Sequence, residues 1–173
     1  MYKFFAGIGS RQSPREILVL MTNITSFLYG RGYVLRSGAA SGADTAFEDG
    51  VPEGSYKEIY LPWERFRSHS SKLYGISPEA FALAKKYHPA WERLSKHAQR
   101  LIARNGYQVL GEDLKTPVKF IICWTPGGKT TGGTAQALRI AKDLDIPVFN
   151  LGKPKDLDFI KTCLDTDQIF IKE

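Results

Sequence analysis

The chain has 173 residues, 43% of them hydrophobic and 24% charged, with a formal net charge of +6. That length and balance predict one domain over residues 1–173, with enough apolar side chains to cover a sheet on both faces. No apolar run approaches the roughly 20 residues of a membrane-spanning helix, and residues 1–10 lack the pattern of a signal peptide. Cys123 and Cys163 form no metal or redox spacing, so a reducing cytoplasm is the expected location. His69, His88 and His97 are scattered, and no metal is expected. The charge permits nucleotide or nucleic-acid partners without requiring them.

Residues 3–8 read as a short apolar strand that breaks at Gly7-Ile8-Gly9-Ser10-Arg11. Ser13-Pro14-Arg15-Glu16 predicts a helix opened by a capping box with proline at its first position. Ile17, Leu20, Met21, Ile24, Phe27 and Leu28 then form one apolar stripe before Gly30 and Gly32 stop it. The Gly-x-Gly matches half of a dinucleotide fingerprint. Gln12 stands where the third glycine belongs, and Arg36 and Ser37 stand where an acidic residue would end the second strand. A standard NAD-binding Rossmann site is therefore not expected.

The second strand is expected over 33–37, followed by a second glycine-rich strand end at 38–44 and a helix that stops near Gly50. Asp44 and Glu48 lie one helical turn apart, on one face, where both would meet a ribose or a reacting sugar. Ser41-x-x-Asp44 is equally a helix-capping arrangement. A third strand over 58–61 ends at Pro62-Trp63. Residues 65–75 have no period and carry Arg65, Arg67, His69 and Lys72, reading either as a segment over the strand ends or as a solvated loop. Ser77-Pro78-Glu79 starts a short helix to residue 87.

A longer helix is expected over 90–104, with Trp91, Leu94, Ala98, Leu101 and Ile102 inward. Arg93, Lys96, His97, Arg100 and Arg104 form the opposite, solvated stripe. Residues 104–111 are a polar run without helix or strand period, in which Arg104, Asn105 and Gln108 are placed to read a phosphate and a base edge. A buried strand over 117–122 then leads into Cys123-Trp124-Thr125-Pro126-Gly127-Gly128-Lys129-Thr130-Thr131-Gly132-Gly133-Thr134-Ala135-Gln136, with a helix over 137–144 beyond it. At such a strand end the backbone N–H groups and the helix dipole favour an anion, and glycines let a phosphate approach closely. It is not a P-loop, because Cys123 stands where the first glycine is required. A strand over 146–150, a helix over 155–164 and an edge strand over 168–171 complete the chain. The alternation predicts an α/β fold, a Rossmann-like parallel sheet with helices on both faces.

Three stretches in this order, Gly7-Ile8-Gly9-Ser10-Arg11, residues 37–48 (Ser37 to Glu48) and the loop 126–134, resemble the SLOG superfamily. That group contains DNA-processing protein A and the Lonely-guy phosphoribohydrolases. The branch most similar is that of stand-alone YspA-like or DprA-like proteins often carried by bacteriophages. The resemblance spans nearly the whole chain. It implies a Rossmann-like domain that binds a nucleotide-derived ligand at Gly9, Ser10 and Arg11, at Gly38, Gly42 and Asp44, and at Gly132, Gly133 and Thr134. Ser37, Arg104, Asn105, Gln108, Trp124 and Thr125 complete the candidate ligand-binding set.

The departures redirect the chemistry. Lonely-guy enzymes carry a Pro-Gly-Gly-x-Gly-Thr-x-x-Glu motif with a catalytic glutamate, whereas here the loop is longer and Gln136 or Ala137 stands at that place. An amide cannot take a proton as a carboxylate does, which leaves Asp44 and Glu48 as the catalytic candidates for N-glycosidic hydrolysis. DNA-processing protein A has additional domains for which 173 residues leave no room. The basic residues are not interleaved with aromatics as in a single-strand groove, so single-stranded DNA is the less expected partner. The expectation is a cytoplasmic homodimer, needing no cofactor, that binds an ADP-ribose, NAD-derived or mononucleotide ligand and senses or sequesters a signalling nucleotide. The alternatives are a nucleotide N-glycosidase or deoxyribosyltransferase, and a DprA-like single-stranded DNA binder.

Overall fold

A computed structural model describes residues 1–170. Its strands are β1 (Lys3–Gly7), β2 (Tyr33–Ser37), β3 (Glu58–Ile59), β4 (Ile121–Cys123) and β5 (Val148–Asn150). They form one sheet in the order β3-β2-β1-β4-β5, with every pairing parallel. The helices are α1 (Arg15–Tyr29), α2 (Ala43–Asp49), α3 (Pro78–Tyr87), α4 (Lys96–Leu110), α5 (Ala135–Asp143) and α6 (Pro154–Asp165). This is the expected α/β, Rossmann-like architecture.

Strand alternation divides the core. Phe5 and Ile122 point to the face covered by α1, α2 and α6, where they meet Met21, Ile24, Leu28, Phe47 and Ile160. Ala6 and Ile121 point the other way, against Val109, Leu110, Leu138, Ile140 and Ala141 of α4 and α5. Successive strand residues face opposite sides, so one short apolar strand feeds both layers. The strand order reverses between β1 and β4. Such a switch point leaves a crevice at the carboxyl ends of the strands. Here Ser10 N–H donates to the Trp124 carbonyl at 3.0 Å and ties the two strand ends together.

Several local expectations change. The capping box at Ser13 does not form: its hydroxyl donates to the Ser10 carbonyl at 2.8 Å, and the N-cap position falls to Pro14, which has no side-chain cap. The Ser41-x-x-Asp44 cap is replaced by Gly42 at the N-cap position of α2, while Asp44 accepts from the Ala40 N–H at 3.2 Å. The helix expected over 90–104 is two pieces. Trp91–Arg93 is a short 3-10 turn, and Ser95 opens α4 by accepting from the Ala98 N–H at 3.1 Å. The polar run 104–111 is helical as far as Leu110. The strand expected over 117–122 is confined to Ile121–Cys123, although Phe120 already accepts from the Ala6 N–H at 3.1 Å. Residues 168–170 form no strand, and Ile171 lies outside the described residues.

Candidate functional site

The crevice at the switch point is a cavity of about 790 Å³, well within the size of small-molecule sites. One wall is the strand ends: Ile8, Gly9, Ser10 and Arg11 after β1, and Ala40, Ser41 and Asp44 after β2. Trp63, Phe66 and Arg67 follow β3, and Pro126 and the loop 131–134 follow β4. The other wall is α4, with Leu94 just before it. A β1 turn this tight needs Gly9, since a Cβ there would lie 2.8 Å from the Ala43 Cβ and 3.0 Å from the Trp124 carbonyl oxygen.

Along α4 the cavity face changes character. His97 is exposed, Leu101 and Ile102 are half-buried, and Arg104, Asn105 and Gln108 are buried. The helix therefore runs from an aliphatic mouth to a polar floor. Arg104 is 6% exposed. Its Nη1 donates to the carbonyls of Gly38 at 2.5 Å and Tyr60 at 3.3 Å, and its Nε donates to Asn105 Oδ1 at 3.2 Å. Nη2 makes no hydrogen bond to a described residue, which leaves one donor edge for the cavity. Asn105 in turn donates from Nδ2 to the Gly133 carbonyl at 3.0 Å and so anchors the loop after β4. The Gln108 amide is 2% exposed, lines the cavity and makes no hydrogen bond to any described residue. Among the described residues the one fully enclosed side-chain polar atom without a partner is Arg139 Nε, so the Gln108 amide keeps contact with the cavity space. The Gln108 amide is therefore free to pair with water or with a polar ligand in the cavity.

Charge follows the same geometry. Arg11, Arg67 and Arg104 line the cavity, and Asp44 is the one carboxylate among the lining residues. Burial pushes the Asp44 carboxyl up to about 6, against the opposing pull of Arg104 and of the Ala40 N–H. Burial lowers the Arg104 pKa, while Asp44 supports its charge. Arginine remains ionised through such a shift. The result is a cationic pocket whose single buried acid changes charge near neutrality.

The structure separates the sequence candidates. Gly9, Ser10, Arg11, Asp44, Arg104, Asn105, Gln108, Gly132, Gly133 and Thr134 all line the cavity. Ser37, Gly38, Gly42, Trp124 and Thr125 do not. Ser37 donates to the Gly7 carbonyl at 2.6 Å. Gly38 lies beneath the floor, where a Cβ would fall 2.0 Å from Gln108 Nε2. Gly42 packs on the backbone of Arg11, 2.8 Å from where its Cβ would be. Trp124 packs against the core. Thr125 Oγ1 accepts from Asn150 Nδ2 at 2.7 Å, which locks β4 to β5. Glu48 points elsewhere too, accepting from Lys57 at 2.8 Å and from His69 Nε2 at 2.7 Å.

Trp63, Phe66, His97, Leu101 and Ile102 were absent from the sequence-derived set, yet they line the cavity. Trp63 had a usable signal: it follows Pro62 directly after a parallel strand, which puts it at the ligand edge of the sheet.

No protein-family profile matches the chain, and no curated protein matches it either. Solved structures do. DNA processing protein A from Helicobacter pylori, described by its unique single-stranded DNA binding mode, superposes with a TM-score of 0.56 at 16% identity, over 95% of this chain and 81% of that one. The protein of the same name from Streptococcus pneumoniae gives 0.55 at 16% identity, covering 98% of this chain and 58% of its own. The chain shares its fold with DNA processing protein A. The molybdenum cofactor carrier protein of Chlamydomonas reinhardtii superposes at 0.50 and 16% identity, over 99% of this chain and 90% of that one. At this identity the likeness is one of fold. Among the described residues no helix is long and apolar enough to cross a membrane, and no cluster of His, Cys, Asp and Glu is arranged to hold a metal ion.

Proposed function

We propose that the chain is a stand-alone SLOG-type protein that binds a nucleotide-derived small molecule of the ADP-ribose, NAD-derived or mononucleotide kind, and that it senses or sequesters such a signal in the cytoplasm. The observation that carries this reading is the floor of the cavity, where the open edge of the Arg104 guanidinium and the Gln108 amide meet Arg11, Arg67 and the glycine loop 132–133. Arginine edges and open backbone are suited to phosphate. A Cβ at Gly132 or Gly133 would meet nothing within 4 Å, so the space above that loop is open to a ligand. A homodimer and a bacteriophage origin belong to the same proposal and rest on the sequence resemblance alone.

The test is to heat-release bound material from purified protein and identify it by mass spectrometry, then to incubate the protein with mononucleotides, NAD and ADP-ribose and follow free base by chromatography. An intact nucleotide with no base release supports the binding reading; absence of any nucleotide affinity removes it. The enzyme reading, N-glycosidic hydrolysis, is favoured by one observation: Asp44 lines the cavity with its carboxyl near 6, suited to proton transfer at neutral pH. Base release that vanishes in Asp44→Asn would establish it instead. Single-stranded DNA binding is favoured only by the description of the Helicobacter pylori protein.

A further inference from the structure

The cavity also has an aromatic wall, which runs from floor to mouth. Arg104 Cζ lies over the Phe66 ring at 5.5 Å. Phe66 meets Trp63 edge-on with centroids 5.2 Å apart, and Trp63 meets the His97 ring at 4.2 Å. Trp63 is half-buried and His97 is exposed, while Phe66, also half-buried, packs in addition against the core and so anchors the group. The segment that carries Phe66 is held in an unusual backbone. Arg65, Arg67 and Ser68 all have left-handed φ, at 60°, 51° and 61°. Non-glycine residues in that region cost about 1–3 kcal/mol each and concentrate at ligand clamps.

The polarity of the two ends fixes an orientation. His97 and Gln108 are eleven positions apart on α4, roughly 16 Å at the helical rise, so the two ends of the cavity are separated by more than one chemical group. Open polar atoms lie at one end and a cluster of rings, edge-on and tilted to one another, at the other. We propose that Trp63 and His97, backed by Phe66, form the stacking platform for the ligand's planar heteroaromatic base, at the cavity mouth, with the phosphorylated ribose directed inward to Arg104 and Gln108. This rests on the reading that the cavity takes a nucleotide, and adds that the base is held by stacking rather than read by the floor. It follows that the protein accepts several bases, because every base offers a π face.

Calorimetry with AMP and with ribose 5-phosphate, which lacks the ring, tests this on wild type, W63L, H97A and Q108A, each checked for native circular dichroism. W63L should weaken AMP by about tenfold or more, the scale of one lost base–aromatic stack, while changing ribose 5-phosphate less than about twofold. Q108A should weaken both ligands alike. AMP should also quench tryptophan emission in wild type and not in W63L. If W63L does not fold, H97A, altered at an exposed position, carries the same comparison. Equal losses of AMP and ribose 5-phosphate in the mouth variants, or a Q108A loss restricted to AMP, would overturn the orientation. Failure of AMP, ADP-ribose and ribose 5-phosphate to bind wild type would instead remove the nucleotide reading itself.

Discussion

Asp44 is the residue whose environment says most about what the cavity tolerates. It is 4% exposed, and its carboxyl is pushed up to about 6 chiefly by burial. The native state therefore holds the proton more tightly than the unfolded chain, whose aspartates titrate near 3.9. By linkage its contribution to stability falls as pH rises from about 4 through about 6, by up to about 3 kcal/mol if the whole shift is expressed. The same ionisation acts on ligand. A pyrophosphate diester such as that of ADP-ribose keeps a constant charge over this range, so a carboxylate appearing near it can only repel. ADP-ribose affinity should fall by about tenfold between pH 5 and 7.5, the size of one charge–charge term near 10 Å at an effective dielectric of about 20. Asp44→Asn should flatten the profile. A slope that survives this substitution would show that Asp44 does not face the ligand's charge.

At the scale of elements, Glu48 holds a segment in place. His69 Nδ1 accepts the Ser71 N–H at 3.0 Å, so its proton sits on Nε2 and is donated to Glu48. Ser71 Oγ donates to the Ile59 carbonyl at 2.6 Å. Burial acts to raise the Glu48 pKa, but hydrogen bonds from Lys57 and His69 outweigh it and hold the pKa below its ordinary value. That stabilisation is present above the ordinary glutamate pKa and is lost as pH falls through the folded value. Glu48→Gln should cost about 0.5–1.5 kcal/mol, one partly exposed hydrogen-bonded pair, and should speed hydrogen exchange in residues 65–71. It should leave ribose 5-phosphate affinity unchanged. A large loss of that affinity would return Glu48 to the site. The sequence placed Asp44 and Glu48 together because one helical turn separates them. It could not show that a histidine from a loop more than twenty residues on would take the second carboxylate.

Helix α4 shows the same limit from the other side. Its apolar period fades after Ile102 because the helix there has no solvent face to contrast with. Ala103, Tyr107, Val109 and Leu110 are buried in core clusters, while Arg104, Asn105 and Gln108 fill the floor of the cavity. Polar residues at i, i+1 and i+4 turned inward read as a loop when periodicity is scored by hydropathy alone. Gly106 strengthened that impression, yet it lies within contact of α3, where a Cβ would come 3.0 Å from Leu83 Cδ2. The central strands were legible as short runs apolar on both faces, and α1 because it has one apolar face. Gly38 links these elements: Gly38→Ala would push a Cβ into Gln108 and Arg104, and should destabilise by about 1–3 kcal/mol as an overpacked site does. Thermal unfolding at unchanged stability would show that the floor can yield.

For the whole molecule, the question is where its positive charge acts. The chain carries 24 Lys and Arg against 18 Asp and Glu, and the structures that share its fold include a protein described by single-stranded DNA binding. If DNA were the partner, the working cations would be exposed along a track, and affinity would fall by about 10³ or more between 50 and 200 mM salt for six to ten phosphate contacts. The cavity makes a different demand. Arg104 is 6% exposed and fixed by carbonyls, and a buried charge is screened far less than a surface one. ADP-ribose affinity should therefore change by less than about threefold over the same salt range, while any oligonucleotide affinity should collapse. Competition separates the two further, because a ligand seated between α4 and the strand ends cannot share that space with a polymer lying across the surface. Fluorescence anisotropy with a labelled oligothymidylate, alongside calorimetry with ADP-ribose, measures both slopes on one preparation. A steep slope for ADP-ribose, or tight oligonucleotide binding that persists at 200 mM salt and is abolished by Arg104→Ala, would shift the function from the small ligand to the polymer.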